Sequence, residues 1–170
     1  KKYTEEGIKL IQSHGLDITD NQILYVNQGT HGTNVQGRFY QGTMRVDYHT
    51  GNIHQTEPSI SLANRIMGRE GRNVFIHEYG HFVDWYLGGR KNNIIQIEGK
   101  NKIQSSFWSD QTFPKFNIKG DTKEHAADMF TNYITTGSAK GKGYIIHGMT
   151  QNDMTALLKH FDSTMDSLKR

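Results

Sequence analysis

"FIHEYGHFVDWY", residues 75–86, decides how this chain is to be understood. Phe75, Tyr79, Phe82 and Tyr86 recur at helical spacing, with Val83 and Leu87 beside them. That pattern predicts an amphipathic helix with one buried face. Asn73 is the expected N-cap and Gly88-Gly89 the expected stop. His77 and His81 are four residues apart and lie off the apolar stripe. Positions i and i+4 share a helix face, so both imidazoles can point at one place. Glu78 lies one step round the helix, beside that place.

Neutral imidazole is a natural zinc ligand. Glu78 is then positioned to take a proton from a metal-activated water and pass it to a leaving amine. The bland alternative is a helix with two hydrogen-bonded or solvated histidines. Roughly 0.02 chance occurrences of H-E-x-x-H are expected in a chain of this composition, so the metal reading is preferred. Gly80 adds to it. A mid-helix glycine costs about 1 kcal/mol relative to alanine, and close approach of another helix at the metal supplies a reason for it.

A catalytic zinc site takes three protein ligands and keeps one open position. "DTKEHAADMF", residues 121–130, offers the third. Glu124 and Asp128 are i, i+4 on one face of a helix expected to start at Asp121 or Thr122 and end by Gly137. Ala126, Ala127, Phe130, Tyr133 and Ile134 form its apolar side. Glu124 can bind the ion, and Asp128 can accept the second ring N–H of His77 and fix its tautomer. Two alternatives stand beside this. Asp121-x-x-Glu124 is also a capping-box pattern, and His125 is a rival ligand about 100° away around the helix. Asp84, one turn after His81, is either a support for that histidine or a surface carboxylate.

Composition narrows the rest. The 170 residues suit one domain, with residues 1–72 expected to form a helix plus strands and 73–170 the metal-site helices. The fold class expected is α+β. There is no cysteine, which excludes disulfides, cysteine zinc knuckles and a cysteine nucleophile. The formal net charge is +3, but lysines and arginines are scattered, so no nucleic-acid partner is expected. No run is long and apolar enough for a membrane span. The chain opens on Lys1-Lys2 without an apolar leader, as a mature or excised domain would. "GSAKGKG", 137–143, departs from the phosphate-loop pattern and reads as a loop. His14, His31, His49, His54 and His160 are scattered along the chain.

Elsewhere, Thr4 is expected to cap a first helix that closes at Gly15. "QILYV" (22–26) reads as a strand, and "VQGRFY" with "TMRVDY" as a hairpin around Gln41-Gly42. "EPSISLANRIMG" (57–68) is expected to be a short helix, "GREGRN" a break, and 90–120 irregular with a short helix near Ile103. Thr150 and Asp153 form a capping box. Met154, Leu157, Leu158, Phe161, Met165 and Leu168 mark a docked C-terminal helix.

"FIHEYGHFVDWY" followed by "KEHAADMF", with 47 residues between His77 and Glu124, resembles the gluzincin peptidases. More narrowly it resembles the anthrax lethal factor catalytic domain and the Pro-Pro endopeptidases, over roughly residues 70–165. The resemblance implies a zincin-like metallopeptidase fold and a secreted zinc metalloendopeptidase acting on a protein or peptide. Its ligands would be His77, His81 and Glu124, with Glu78 as general base. The family has a glutamate where this chain has Asp128, and an oxyanion-stabilising tyrosine where it has Asn117, beside Phe116. Tyr144 and His147 are candidates to replace that donor. Loss of such a donor costs roughly 2–4 kcal/mol of transition-state stabilisation. The alternatives kept are therefore a weak or inactive binding module, and a DNA-associated zinc protease with His125 as ligand. An extended substrate is expected to lie along the strand at Gln41–Asp47.

Overall fold

The computed structural model describes residues 2–16, 25–29, 36–40, 44–46, 49–51, 53–55, 59–63, 65–66, 68–87, 93–97, 100–105, 122–141, 146 and 149–169. These form an α+β arrangement of helices α1 (Lys2–Ser13), α2 (Gly68–Leu87), α3 (Thr122–Thr136) and α4 (Gln151–Ser167). The strands are β1 (Tyr25–Gly29), β2 (Gly37–Tyr40), β3 (Met44–Val46), β4 (Ile53–Gln55), β5 (Ser59–Ala63), β6 (Asn93–Ile97) and β7 (Lys100–Gln104). Among the described residues no helix is long and apolar enough to cross a membrane.

Helix α2 is the centre of the molecule. It packs on α3, on α1, and on a three-stranded sheet of order β1-β5-β2. Phe75, Ile76, Phe82 and Val83 of α2 are fully buried, as are Ile60 and Leu62 of β5 and Met129 and Phe130 of α3. Each such side chain contributes roughly 1.5–3 kcal/mol by leaving water. The expected aromatic stripe is therefore real, but Tyr79 and Tyr86 sit at its edge and Ile76 belongs to its centre.

The segment expected to be a short helix at 57–68 is instead the central strand β5. Its sequence Ser-Ile-Ser-Leu-Ala alternates polar and apolar, a period of two. β1 pairs with it in parallel and β2 antiparallel. Thus β2 does not form a hairpin with β3. β3 pairs with β4 across the turn containing Gly51, and Gln41-Gly42 lies outside the described residues. The expected helix near Ile103 is a strand: β6 and β7 form an antiparallel pair in which Ile94 faces Ile103. The β-branched Ile94, Ile95, Ile97 and Ile103 favour that outcome.

Helix α2 begins at Gly68, not after Asn73. Arg69, Glu70 and Arg72 are good helix formers, and Asn73 Oδ1 accepts hydrogen bonds from the Arg72 guanidinium. Thr4 is buried inside α1 and does not cap it. Gly15 closes α1 with φ 72° and its N–H on Gln12 O at 2.9 Å. Helices α3 and α4 run as expected. Thr150 caps α4 by accepting the Asp153 N–H, and Met154, Leu157, Leu158, Phe161 and Met165 are buried.

Candidate metal centre

His77 and His81 project from the middle of α2 towards the first half of α3. Their rings lie 4.9 Å apart, edge to face. His77 Nε2 is 3.1 Å from Glu124 Oε2, and His81 Nε2 is 3.2 Å from Glu124 Oε1. One carboxylate thus faces two imidazoles. His77 Nδ1 lies 3.0 Å from Asp128 Oδ1, one turn further along α3. The i, i+4 spacing on both helices makes this four-residue cluster.

Gly80 allows the approach. A Cβ at this position would lie 3.1 Å from Phe130 Cβ and Cδ1 and 3.2 Å from the Ala127 Cα. Any side chain here would press α3 away from α2. Tyr79 stacks on Phe130 beside this contact, with ring centroids 6.1 Å apart.

His77, Glu78 and His81 each offer a ligand atom within 4.8 Å of one another, and this group can hold a metal ion. Two carboxylates therefore compete to complete a donor set with the histidines. Glu124 is the one that touches both Nε2 atoms. Its side chain is 56% exposed, so the cluster opens to solvent on that side. Glu78 is only 7% exposed, and the main-chain N–H of Phe39 from β2 faces its carboxylate. β2 can approach so closely because residue 37 is glycine: a Cβ there would lie 3.2 Å from Glu78 Cγ and 3.1 Å from Val74 Cγ1.

Burial pushes the Glu78 carboxyl up, reinforced by the Glu124 charge, while the two imidazoles and the Phe39 N–H oppose. Burial alone would push the His77 imidazole down. Its hydrogen bonds to Asp128 and Glu124, with the Glu78 charge, outweigh burial and raise it to about 10. The His77 and His81 hydrogen bonds hold Glu124 well below the usual carboxylate range. The charged form of His77 is thus favoured between the Glu124 and Asp128 carboxylates.

The His125 ring is pushed down by burial; it is Glu124, its neighbour, that reaches both histidines. Asp84 is buried, at 6% exposure, rather than on the surface. It follows His77 by seven residues and so shares its helix face. Asn117, Phe116, Tyr144 and His147 lie outside the described residues. The Phe39 N–H on Glu78 carried no signal in the sequence, because a backbone donor is independent of residue type. No family model matches this chain, and no curated protein or solved structure matches it.

Proposed function

We propose that this chain is a zinc metalloendopeptidase of zincin type, with His77, His81 and Glu124 holding the ion and Glu78 as general base. The observation that carries this is two imidazole Nε2 atoms converging on one carboxylate, 3.1 and 3.2 Å away, beside a buried glutamate. Donors around a tetrahedral zinc with bonds of ~2.0–2.1 Å lie ~3.3 Å apart, close to the two nitrogen–oxygen separations here. Two nitrogens and one oxygen also make the donor type of open, catalytic zinc sites. The resemblance to the lethal factor and Pro-Pro endopeptidase family points the same way, and suggests a secreted protein with a peptide substrate.

A bound zinc ion supplies Lewis acidity, which lowers the pKa of water and polarises a scissile carbonyl. The protein's own groups do the rest. Asp128 accepts the His77 Nδ1–H, which leaves the Nε2 lone pair for the site. Glu78 takes a proton from the attacking water and delivers it to the leaving amine nitrogen. A carboxyl whose proton affinity is raised by burial suits that shuttle. An extended substrate fits the outer edge of β2 rather than β3, because β2 is the strand that packs directly on Glu78, at Gly37.

The test is zinc content and peptide cleavage for the wild type, Glu78→Ala and Glu124→Ala. The wild type is expected to hold one zinc and cut. Glu78→Ala should keep the metal and lose about 10²–10⁴ in rate, and Glu124→Ala should lose the metal. Zinc without cleavage in the wild type would turn the assignment to a binding module. Absence of metal binding would end it.

A further inference from the structure

We infer that the substrate is an extended peptide carrying an acidic side chain, recognised by Arg38, two residues from an aromatic or β-branched one that lies against Tyr40. This rests on the peptidase reading above. The register of β2 fixes the geometry. Ala63 N–H donates to Gln36 O at 2.8 Å, and Arg38 pairs with Ser61. In an antiparallel pair the hydrogen-bonded positions alternate. The backbone groups of Gln36, Arg38 and Tyr40 therefore turn towards β5, and those of Gly37 and Phe39 turn outwards. The Phe39 N–H on Glu78 agrees with that phase. Among the described residues no strand pairs with this outer edge.

Side chains alternate the other way. Phe39 points at α2, where its ring lies 5.9 Å from Phe82 and 5.8 Å from Trp85. Arg38 and Tyr40 stand on the opposite face, both exposed. Tyr40 is 47% exposed, one of two large apolar side chains so open among the described residues. No described carboxylate pairs with Arg38. An arginine and a tyrosine thus stand on one face of the strand that packs on Glu78 at Gly37.

A peptide strand added to this edge places its own side chains directly opposite, with Cβ atoms ~5 Å away. The peptide residues facing Arg38 and Tyr40 are two apart, and lie within about two positions of the bond that Glu78 serves. Opposite charge favours Asp or Glu against Arg38, and a flat or branched side chain favours Tyr40. The chain's formal net charge of +3 adds attraction for an acidic segment.

The experiment is a peptide library randomised around the cleavage site, cut by the zinc-loaded wild type, Arg38→Glu and Arg38→Lys. In the wild type, Asp and Glu should exceed Lys and Arg by about fivefold at one position near the cut, the size of one exposed cross-strand pair. The preference should shrink in about 1 M salt. Arg38→Glu should invert it and Arg38→Lys should keep it, with melting temperatures close to the wild type because the position is exposed. Cleavage with identical profiles in wild type and Arg38→Glu overturns this inference and leaves the peptidase intact. Zinc binding with no peptide cut overturns the peptidase and this inference with it.

Discussion

Replacing Gly80 by alanine opposes two effects of known size. Alanine in a helix interior gains about 1 kcal/mol over glycine. Its new methyl would sit 3.1 Å from two Phe130 carbons and 3.2 Å from the Ala127 Cα, where carbon atoms prefer ~3.5–4.0 Å. Phe130 is fully buried and the Ala127 atom is backbone, so neither can swing aside. The helices must separate by roughly half an ångström, and such overpacking costs about 1–3 kcal/mol. The net expectation is a loss of about 0–2 kcal/mol, or a melting temperature lowered by up to ~8 °C for a domain of this size. The more telling readout is zinc affinity. Metal–ligand distances tolerate only ±0.2 Å or so, and the same displacement carries Glu124 away from His77 and His81. A fall of about tenfold or more is expected, measured by competition with a chromophoric chelator beside thermal melting. A Gly80→Ala protein with a higher melting temperature and unchanged zinc affinity would refute the close packing of α2 on α3 as the reason for this glycine.

Two further outcomes follow from the same cluster. Asp128→Asn removes the charge on His77 Nδ1 and should weaken zinc binding by about 10–100-fold, while Glu78→Ala leaves it near the wild type; titration with zinc separates them. In the metal-stripped protein, His77 is raised from 6.5 to about 10. Its stabilising contribution is therefore complete below about pH 6.5 and lost as pH rises through 10. Glu124 is lowered from 4.5, so its contribution is present above pH 4.5 and lost as pH falls below it. Denaturation midpoints of the stripped protein should thus peak between about pH 4.5 and 6.5, and a midpoint that rises steadily from pH 6 to 10 would contradict the pairing.

The parts of this molecule legible in the sequence are those set by local spacing. His77 and His81, Glu124 and Asp128, and the Thr150 cap are all relations within one or two helical turns. The helix period alone brings each pair to a common face. Gly80 was legible too, because a glycine in a strong helix calls for a packing cause. The sheet was not, because strand pairing is non-local. The parallel pairing of Tyr25 with Ser59 spans a stretch whose alternation in β5 is only five residues long, and a helical spacing of Ile60, Leu62, Ile66 and Met67 competes with it. The hairpin expected around Gln41-Gly42 failed for the same reason: β2 found a better partner in β5, whose Ile60 and Leu62 are already held against α2. Asp84 was misjudged as equally a surface group because its burial depends on what packs there, not on its own helix.

Glu78 is faced by a main-chain N–H from Phe39, and every amino acid except proline brings that N–H to position 39. Arg38 and Tyr40, whose side chains face away from α2, can therefore change without disturbing that contact, whereas the Phe39 ring is held against Phe82 and Trp85. Gly37 is the fixed point, since its missing side chain makes room for Glu78 and Val74. The exposed side chains of Arg38 and Tyr40 carry no such duty. A strand built this way separates what must stay constant from what is free to diverge.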